Sequence, residues 1–137
     1  MRSLAERKEH IKLMALRLRA IRLANGYENI STFTAAFNLT RSNYRLHELG
    51  EREMKSTDLL YYAKKFNIAC EWLLAGDGAP YRSKNKSLAL TQQEAKIFYY
   101  LEIETMKLRF YEKTDKVLEE KLQIKQQELQ KKLNLKK

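Results

Sequence analysis

Apolar residues in the first eighty or so positions return every three or four residues, and each run closes on a residue that helices tolerate poorly. Ile11, Met14, Ala15, Leu18 and Ile21 share one helical face. Asn25-Gly26 ends that run, because glycine enters the left-handed region without strain. A second helix is predicted from about Ile30 to Phe37, N-capped by Asn29 or Ser31, with Phe33 and Phe37 on one face. Asn38 follows, and asparagine is among the few residues that accept a left-handed turn position. Thr40 then N-caps a third helix, Arg41 to Leu49, stopped by Gly50. A fourth helix, Ser56 to Phe66, carries Leu59, Leu60, Ala63 and Phe66 at helical spacing. A fifth, Cys70 to Ala75, carries Trp72, Leu73 and Leu74 and is stopped by Gly76. These five short helices make one compact α-domain over residues 1–79.

From Pro80 the pattern changes. Residues 80–90 open with PYRSKNKS, polar and basic, which reads as a linker. Residues 91–137 contain no glycine or proline and begin with a capping box, Thr91 and Glu94. One apolar column there runs Leu101, Leu108, Leu122 and Leu129 in heptad steps, with Ile97, Tyr111 and Leu118 beside it. Glu104, Asp115 and Lys125 interrupt that seam. A second column, Ile103, Phe110, Val117 and Ile124, lies nearly opposite, and a helix apolar on two sides needs two partners. Leu88 to Tyr111 is expected to be the more buried half, packed on the first domain or on a second copy. The later half then continues as an imperfect coiled coil, giving a helical dimerisation arm. Two alternatives stand beside it: a solvated helix held by pairs such as Glu112–Lys116, and a hairpin bent at Lys113 to Lys116. The solvated helix is disfavoured, because Phe98, Tyr99, Tyr100, Phe110 and Tyr111 are a large aromatic surface to leave wet.

Composition narrows the class. Four glycines and one proline are too few for the turns of an all-β chain of this length, so the fold class is all-α. With 27 basic and 17 acidic residues the net charge is +10, which favours a polyanionic partner. No run of eighteen apolar residues is present, so no membrane partner is expected, and the start of the chain lacks a secretory leader. The lone Cys70, beside Trp72 and Leu73, reads as a small core residue in a reducing, cytoplasmic setting. Two distant histidines and one cysteine do not make a metal set, and no phosphate-binding glycine loop occurs. Neither a cofactor nor a catalytic residue is expected, and an enzyme is the least favoured class.

The second and third helices, joined by a tight turn at Asn38 to Thr40, have the layout of a helix-turn-helix. In that arrangement the first helix braces on the DNA backbone while the N-terminal part of the second enters the major groove. Arg41, Ser42, Asn43 and Arg45 are polar and near that end, where arginine can read guanine and asparagine adenine. Tyr44 and His47 fall on the inward face. Three blocks sharpen the reading: LRLRAIRLANGY at Leu16 to Tyr27, FNLTRSNYRLHELGERE at Phe37 to Glu53, and YYAKKFNIACEWLLAGDG at Tyr61 to Gly78. Together they resemble the Cro/C1-type (xenobiotic-response-element) helix-turn-helix family of repressors. The resemblance covers somewhat under half of the chain and leaves everything from Pro80 onward unmatched.

That resemblance implies a lambda-repressor-like DNA-binding domain and particular roles. Arg22 and Glu48 match an ion pair that pins the first helix to the recognition helix. Arg41, Ser42, Arg45 and Leu46 match exposed recognition positions, Leu46 through a thymine methyl. Thr40 matches the N-cap, and Ser31, Thr32 and Arg52 match contacts to the DNA backbone. Asn38 and Thr34 depart from the usual glycine and alanine, and the usual proline after the recognition helix is missing. The expected function is a double-stranded-DNA-binding transcriptional regulator, a repressor acting as a homodimer on a palindromic operator, with a tetramer as the larger option. The competing reading is an antitoxin- or adaptor-like chain whose arm holds a protein partner, DNA binding being autoregulatory.

Overall fold

A computed structural model describes residues 3–81, 92–113 and 116–134. Among these residues seven α-helices run in order: α1 (Leu4–Ala24), α2 (Ile30–Ala36), α3 (Arg41–Glu48), α4 (Ser56–Phe66), α5 (Cys70–Ala75), α6 (Gln92–Lys113) and α7 (Lys116–Asn134). Among the described residues there is no β-strand, only an isolated antiparallel bridge between Ile68 and Tyr81. The fold class is all-α.

The chain is organised around α1. Ser3 caps it, its hydroxyl accepting the Glu6 N–H at 3.2 Å, and the first turns are exposed. From Met14 onward α1 is buried on several sides: Met14, Leu18 and Ile21 face the core, while Ala15, Ala20 and Ala24 let neighbouring helices approach closely. It packs against α3, α5 and α6. Six aromatic rings fill the space beside it. Phe33 is fully buried and lies 5.4 Å from Tyr27, Tyr44 and Phe66 and 4.8 Å from Phe37, centroid to centroid. Tyr62 stacks on Phe66 at 5.8 Å and closes the cluster. Such rings bury a large apolar area each, so this cluster dominates the stability of the head.

The turn residues act as their conformations require. Asn38 and Asn67 adopt left-handed conformations at φ 55° and 54°, ending α2 and α4. Asn29, rather than Ser31, caps α2, its side chain accepting the Thr32 N–H at 2.9 Å. Asp58 reaches back from the first turn of α4 to the Lys55 N–H at 2.9 Å.

Two features lie beyond the boundary expected at residue 79. Pro80 is fully buried and its carbonyl accepts the Ala69 N–H at 2.7 Å, so the chain stays on the head through Tyr81. Further on, Ile97 of α6 is fully buried in the same core as Trp72 and Leu73. Near it, the Gln93 side-chain amide donates to the Ala24 carbonyl at 2.9 Å, satisfying the C-terminus of α1.

The C-terminal region is an antiparallel hairpin. α7 folds back along α6, with Lys125 3.3 Å from Glu102 and Lys132 bonded to the Tyr99 hydroxyl and seated over its ring. Ile103 and Met106 of α6 bury against Leu122 and Leu129 of α7. The heptad column expected to run unbroken from Leu101 to Leu129 is therefore split between two helices, and the reversal resets its phase. Leu122 and Leu129 meet Ile103, a member of the opposite column. Of the residues expected in an interchain seam, Ile97, Leu122 and Leu129 are consumed within the chain, and Leu101 packs partly buried on the head core. Leu108 is half-buried. The side chains of Tyr111 and Leu118, and Thr91 of the capping box, lie outside the described residues, as does the linker beyond Tyr81.

Candidate nucleic-acid interface

The turn between α2 and α3 sets the direction of α3. The Leu39 N–H donates to the Thr34 carbonyl at 2.8 Å and that of Asn38 to the Ala35 carbonyl at 3.3 Å, closing α2 as the backbone turns left-handed at Asn38. Thr34, buried in α2, bonds back to the Ile30 carbonyl at 2.8 Å, so its hydroxyl is satisfied where an alanine would need nothing. Lys65 of α4 donates to the Phe37 carbonyl at 3.2 Å, placing a positive charge at the C-terminus of α2. Thr40 stands at the N-cap of α3 with extended backbone, yet its side chain makes no capping bond. Its hydroxyl is exposed and unspent.

The inner face of α3 is locked by polar contacts. The Arg22 guanidinium forks onto Glu48: Nε donates to Oε1 at 2.6 Å and Nη2 to Oε2 at 3.3 Å. Its Nη1 donates to the Tyr27 carbonyl at 2.8 Å, and the Tyr44 hydroxyl donates to Glu48 Oε1 at 2.8 Å. Arg22 and Glu48 are both buried, so their charges are neutralised by each other and by fixed dipoles. Burial, and then the neighbouring Glu48 carboxylate, push the Tyr44 hydroxyl well above the usual tyrosine range, which keeps it a donor.

One turn along, His47 is buried with Nδ1 2.6 Å from the Tyr62 hydroxyl. With that hydroxyl donating to Nδ1, the ring proton sits on Nε2, which faces Asp58 Oδ2 at 3.6 Å, beyond hydrogen-bond reach. Burial pushes the His47 pKa down; Asp58 raises it and Arg52 lowers it further. The neutral imidazole thus ties α3 to α4.

The outer face of α3 is solvated. Arg41, Ser42 and Arg45 are exposed and Leu46 is half-buried; together they line a shallow hollow of about 530 Å³. Asn43 differs from them. It is half-buried, and its Oδ1 accepts from Arg52 Nη1 at 2.7 Å. Because guanidinium has only donors, this bond fixes which way the Asn43 amide points. Bidentate adenine reading needs the same Oδ1 as acceptor, so Arg52 competes for it or must share it. Arg52 is exposed and keeps further donors for a phosphate. Ser31 and Thr32 are exposed at the first turn of α2, and the Thr32 hydroxyl donates to Asn29 Oδ1 at 2.9 Å.

Sequence reasoning overlooked Arg17. It is buried, and its Nη1 donates to the Leu73 and Leu74 carbonyls at 3.2 and 3.3 Å, capping the end of α5. A Cβ placed on Gly76, at φ +77°, would meet Arg17 Nη2 at 2.8 Å, so this glycine answers both to its conformation and to a close approach. An arginine among apolar positions on α1 was the available signal. Arg17, Arg19 and Arg22 serve three different neighbours, α5, α6 and α3. Among the described residues no cluster of histidine, cysteine and acidic side chains is arranged to hold a metal, and no helix is long and apolar enough to cross a membrane. Comparison with known proteins finds no matching family model, curated protein or solved structure.

Proposed function

We propose that this chain is a sequence-specific double-stranded-DNA-binding regulator of transcription, a repressor, in which α3 is the recognition helix of a helix-turn-helix formed with α2. The observation that carries the reading is the division of α3 into two faces. Tyr44, His47 and Glu48 are buried and bonded, while Arg41, Ser42 and Arg45 stand exposed on the other side near the N-terminal end. A helix held so firmly from behind can present donors to base edges with no backbone left to order, only the side chains themselves. The net charge of +10 supports the same reading, since phosphate neutralisation supplies much of the affinity of such proteins. The motif resemblance to Cro/C1-type repressors supports it too, residue by residue at Arg22, Glu48 and the exposed positions of α3.

In this reading Arg41 and Arg45 read bases, with Ser42 and Leu46 beside them. Thr40, Ser31, Thr32 and Arg52 hold phosphates, and Asn43 is set by Arg52. Binding as a homodimer to an inverted repeat doubles the readout of one helix. An antitoxin- or adaptor-like role rests on an arm left for a partner; α6 is already seated on α1, and α7 on α6, so no observation favours it.

The test is selection of bound fragments from a random DNA pool at about 150 mM salt. Enrichment of a short inverted repeat is expected. Arg41→Ala and Arg45→Ala should each cost about 1–3 kcal/mol on that repeat and far less on random DNA. Arg52→Ala should weaken binding to all sequences and flatten the salt dependence by about one phosphate contact. Strong salt-sensitive binding with no enriched sequence would remove the regulator reading.

A further inference from the structure

The outer face of α3 offers donors and almost no acceptor. Arg41 and Arg45 are exposed and carry only N–H groups, Leu46 brings neither kind, and the Ser42 hydroxyl can serve as either. Asn43 is the one amide beside them and would bring a carbonyl acceptor, but its Oδ1 accepts from Arg52 Nη1 at 2.7 Å. What is left for a base is the Asn43 Nδ2 group, another donor.

That bond is built into the loop after α3. The Glu51 and Arg52 N–H groups both donate to the Leu46 carbonyl, at 2.9 and 3.2 Å, which fixes where the Arg52 side chain starts. Glu53, which follows Arg52, is taken by Arg7 of α1, whose Nε and Nη2 donate to Glu53 Oε2 at 3.2 and 2.6 Å. Its carboxylate is thus spent on α1 and does not draw Arg52 off Asn43. Arg52 reaches Asn43 from the C-terminal end of α3, so the bond turns Oδ1 along the helix. A second lone pair remains on Oδ1, but an adenine amino group donating to it would lie against the guanidinium charge.

We propose that Arg52 sets the base choice of α3: by withdrawing the Asn43 acceptor it makes the recognition surface one of donors and directs it to half-sites rich in guanine rather than adenine. Guanine presents two acceptors in the major groove, N7 and O6. Adenine pairs its N7 with an N6–H donor, which the Asn43 Nδ2 group would oppose donor to donor. The inference rests on the proposed function and names the class of operator it would take. In it Arg52 is a positioning residue for Asn43, in addition to its phosphate contact.

The test is fragment selection from a random DNA pool on the parent, Asn43→Ala, Arg52→Met and the double variant. The parent should enrich half-sites with guanine at the positions that Arg41→Ala and Arg45→Ala lose, and without adenine at the position that Asn43→Ala relaxes. Arg52→Met gives up a phosphate contact, which weakens all sequences alike, and it also frees Oδ1. Adenine at the Asn43 position should then gain about fivefold or more over guanine. The double variant should show no such gain, which assigns it to Asn43. A double-mutant cycle in urea, run without DNA, should find the two substitutions non-additive, and far-UV circular dichroism checks that each variant keeps its helices. Additive losses in urea overturn the proposal. So does a parent that already selects adenine at the Asn43 position, an Asn43→Ala pool that relaxes no position, or an Arg52→Met pool with the base preferences of the parent; each of these leaves the regulator reading standing. A parent that enriches no sequence removes that reading, and this inference with it.

Discussion

Arg19 and Arg22 leave α1 nearly one turn apart, and each meets a buried carboxylate on another helix, yet the two junctions are built differently. At the α3 junction both partners are buried, the fork closes at 2.6 Å, and Tyr44 and the Tyr27 carbonyl take up the remaining bonds. At the α6 junction Glu104 is just as buried, but Arg19 approaches only to 3.4 Å with its side chain 42% exposed, and Lys107 also reaches Glu104 at 3.4 Å. The first arrangement fixes α3 on α1 as one piece. The second orients α6 weakly, and docking there falls to apolar contact, chiefly Ile97. The helix proposed to read base edges is anchored by polar geometry. A helix that only has to stay attached is held by burial.

The comparison can be broken most directly at Glu48. Glu48→Ala strands a buried guanidinium, and urea unfolding should show a loss of about 3–5 kcal/mol. A loss below about 1 kcal/mol would mean that Arg22 finds water and the α3 junction is no tighter than its counterpart. Next in size is Arg17, another arginine of α1. Gly76→Ala forces a left-handed alanine, costing about 1–2 kcal/mol, and crowds Arg17 away from the α5 carbonyls. Thermal denaturation of Gly76→Ala beside Arg17→Met would separate the two contributions.

At the α6 junction the expected effect is small. Glu104→Met removes a carboxylate that is buried but poorly bonded; the Arg19 Nε facing it is buried and makes no hydrogen bond even in the parent, while the rest of that side chain reaches solvent. Its unfolding free energy should stay within about 1 kcal/mol of the parent, or rise. A large loss there would show that the two junctions are alike after all.

The smallest expected effect is a pH slope. His47 has a lowered folded pKa, so between that value and its ordinary 6.5 the unfolded chain binds more protons than the folded one. Its contribution is therefore complete above about pH 6.5 and is lost as pH falls through the folded pKa. Urea midpoints followed from pH 8 down to pH 5 should fall more steeply for the parent than for His47→Gln. Equal slopes would mean that the imidazole is as easily charged in the fold as out of it.

The head was legible in the sequence because its stops are chemical. Asn25-Gly26, Asn38, Gly50 and Gly76 each sit where the backbone turns left-handed or leaves a helix, and most apolar residues between them fall on faces that meet; Leu60 and Leu74, read with those faces, are exposed instead. The inward places of Tyr44 and His47 followed from spacing alone. The contact of Arg22 with Glu48 followed from motif resemblance, since nothing local joins residues 26 positions apart.

The hairpin bent at Lys113 to Lys116 was one of the alternatives the sequence left open, and it could not be chosen over a continuous helix for a physical reason. α6 ends at Lys113 and α7 begins at Lys116 with neither glycine nor proline between them, so a heptad count runs straight through the reversal. Glu104 and Lys125, which interrupted the seam as counted, are placed by partners that no periodicity reports: Arg19 and Lys107 for one, Glu102 for the other. The bond from Arg52 to Asn43 was hidden in the same way, because an exposed side chain nine positions away leaves no pattern.

The burial of Ile97 in the head core also bears on how the chain is made. During synthesis the head can collapse once Tyr81 has emerged, but the residue that completes its core lies sixteen positions further on. At about 5–20 residues per second that is a wait of roughly 1–3 s, during which one side of α1 faces water without its cover. A nascent chain at that stage is a candidate for chaperone capture, and the arrival of α6 ends the vulnerability.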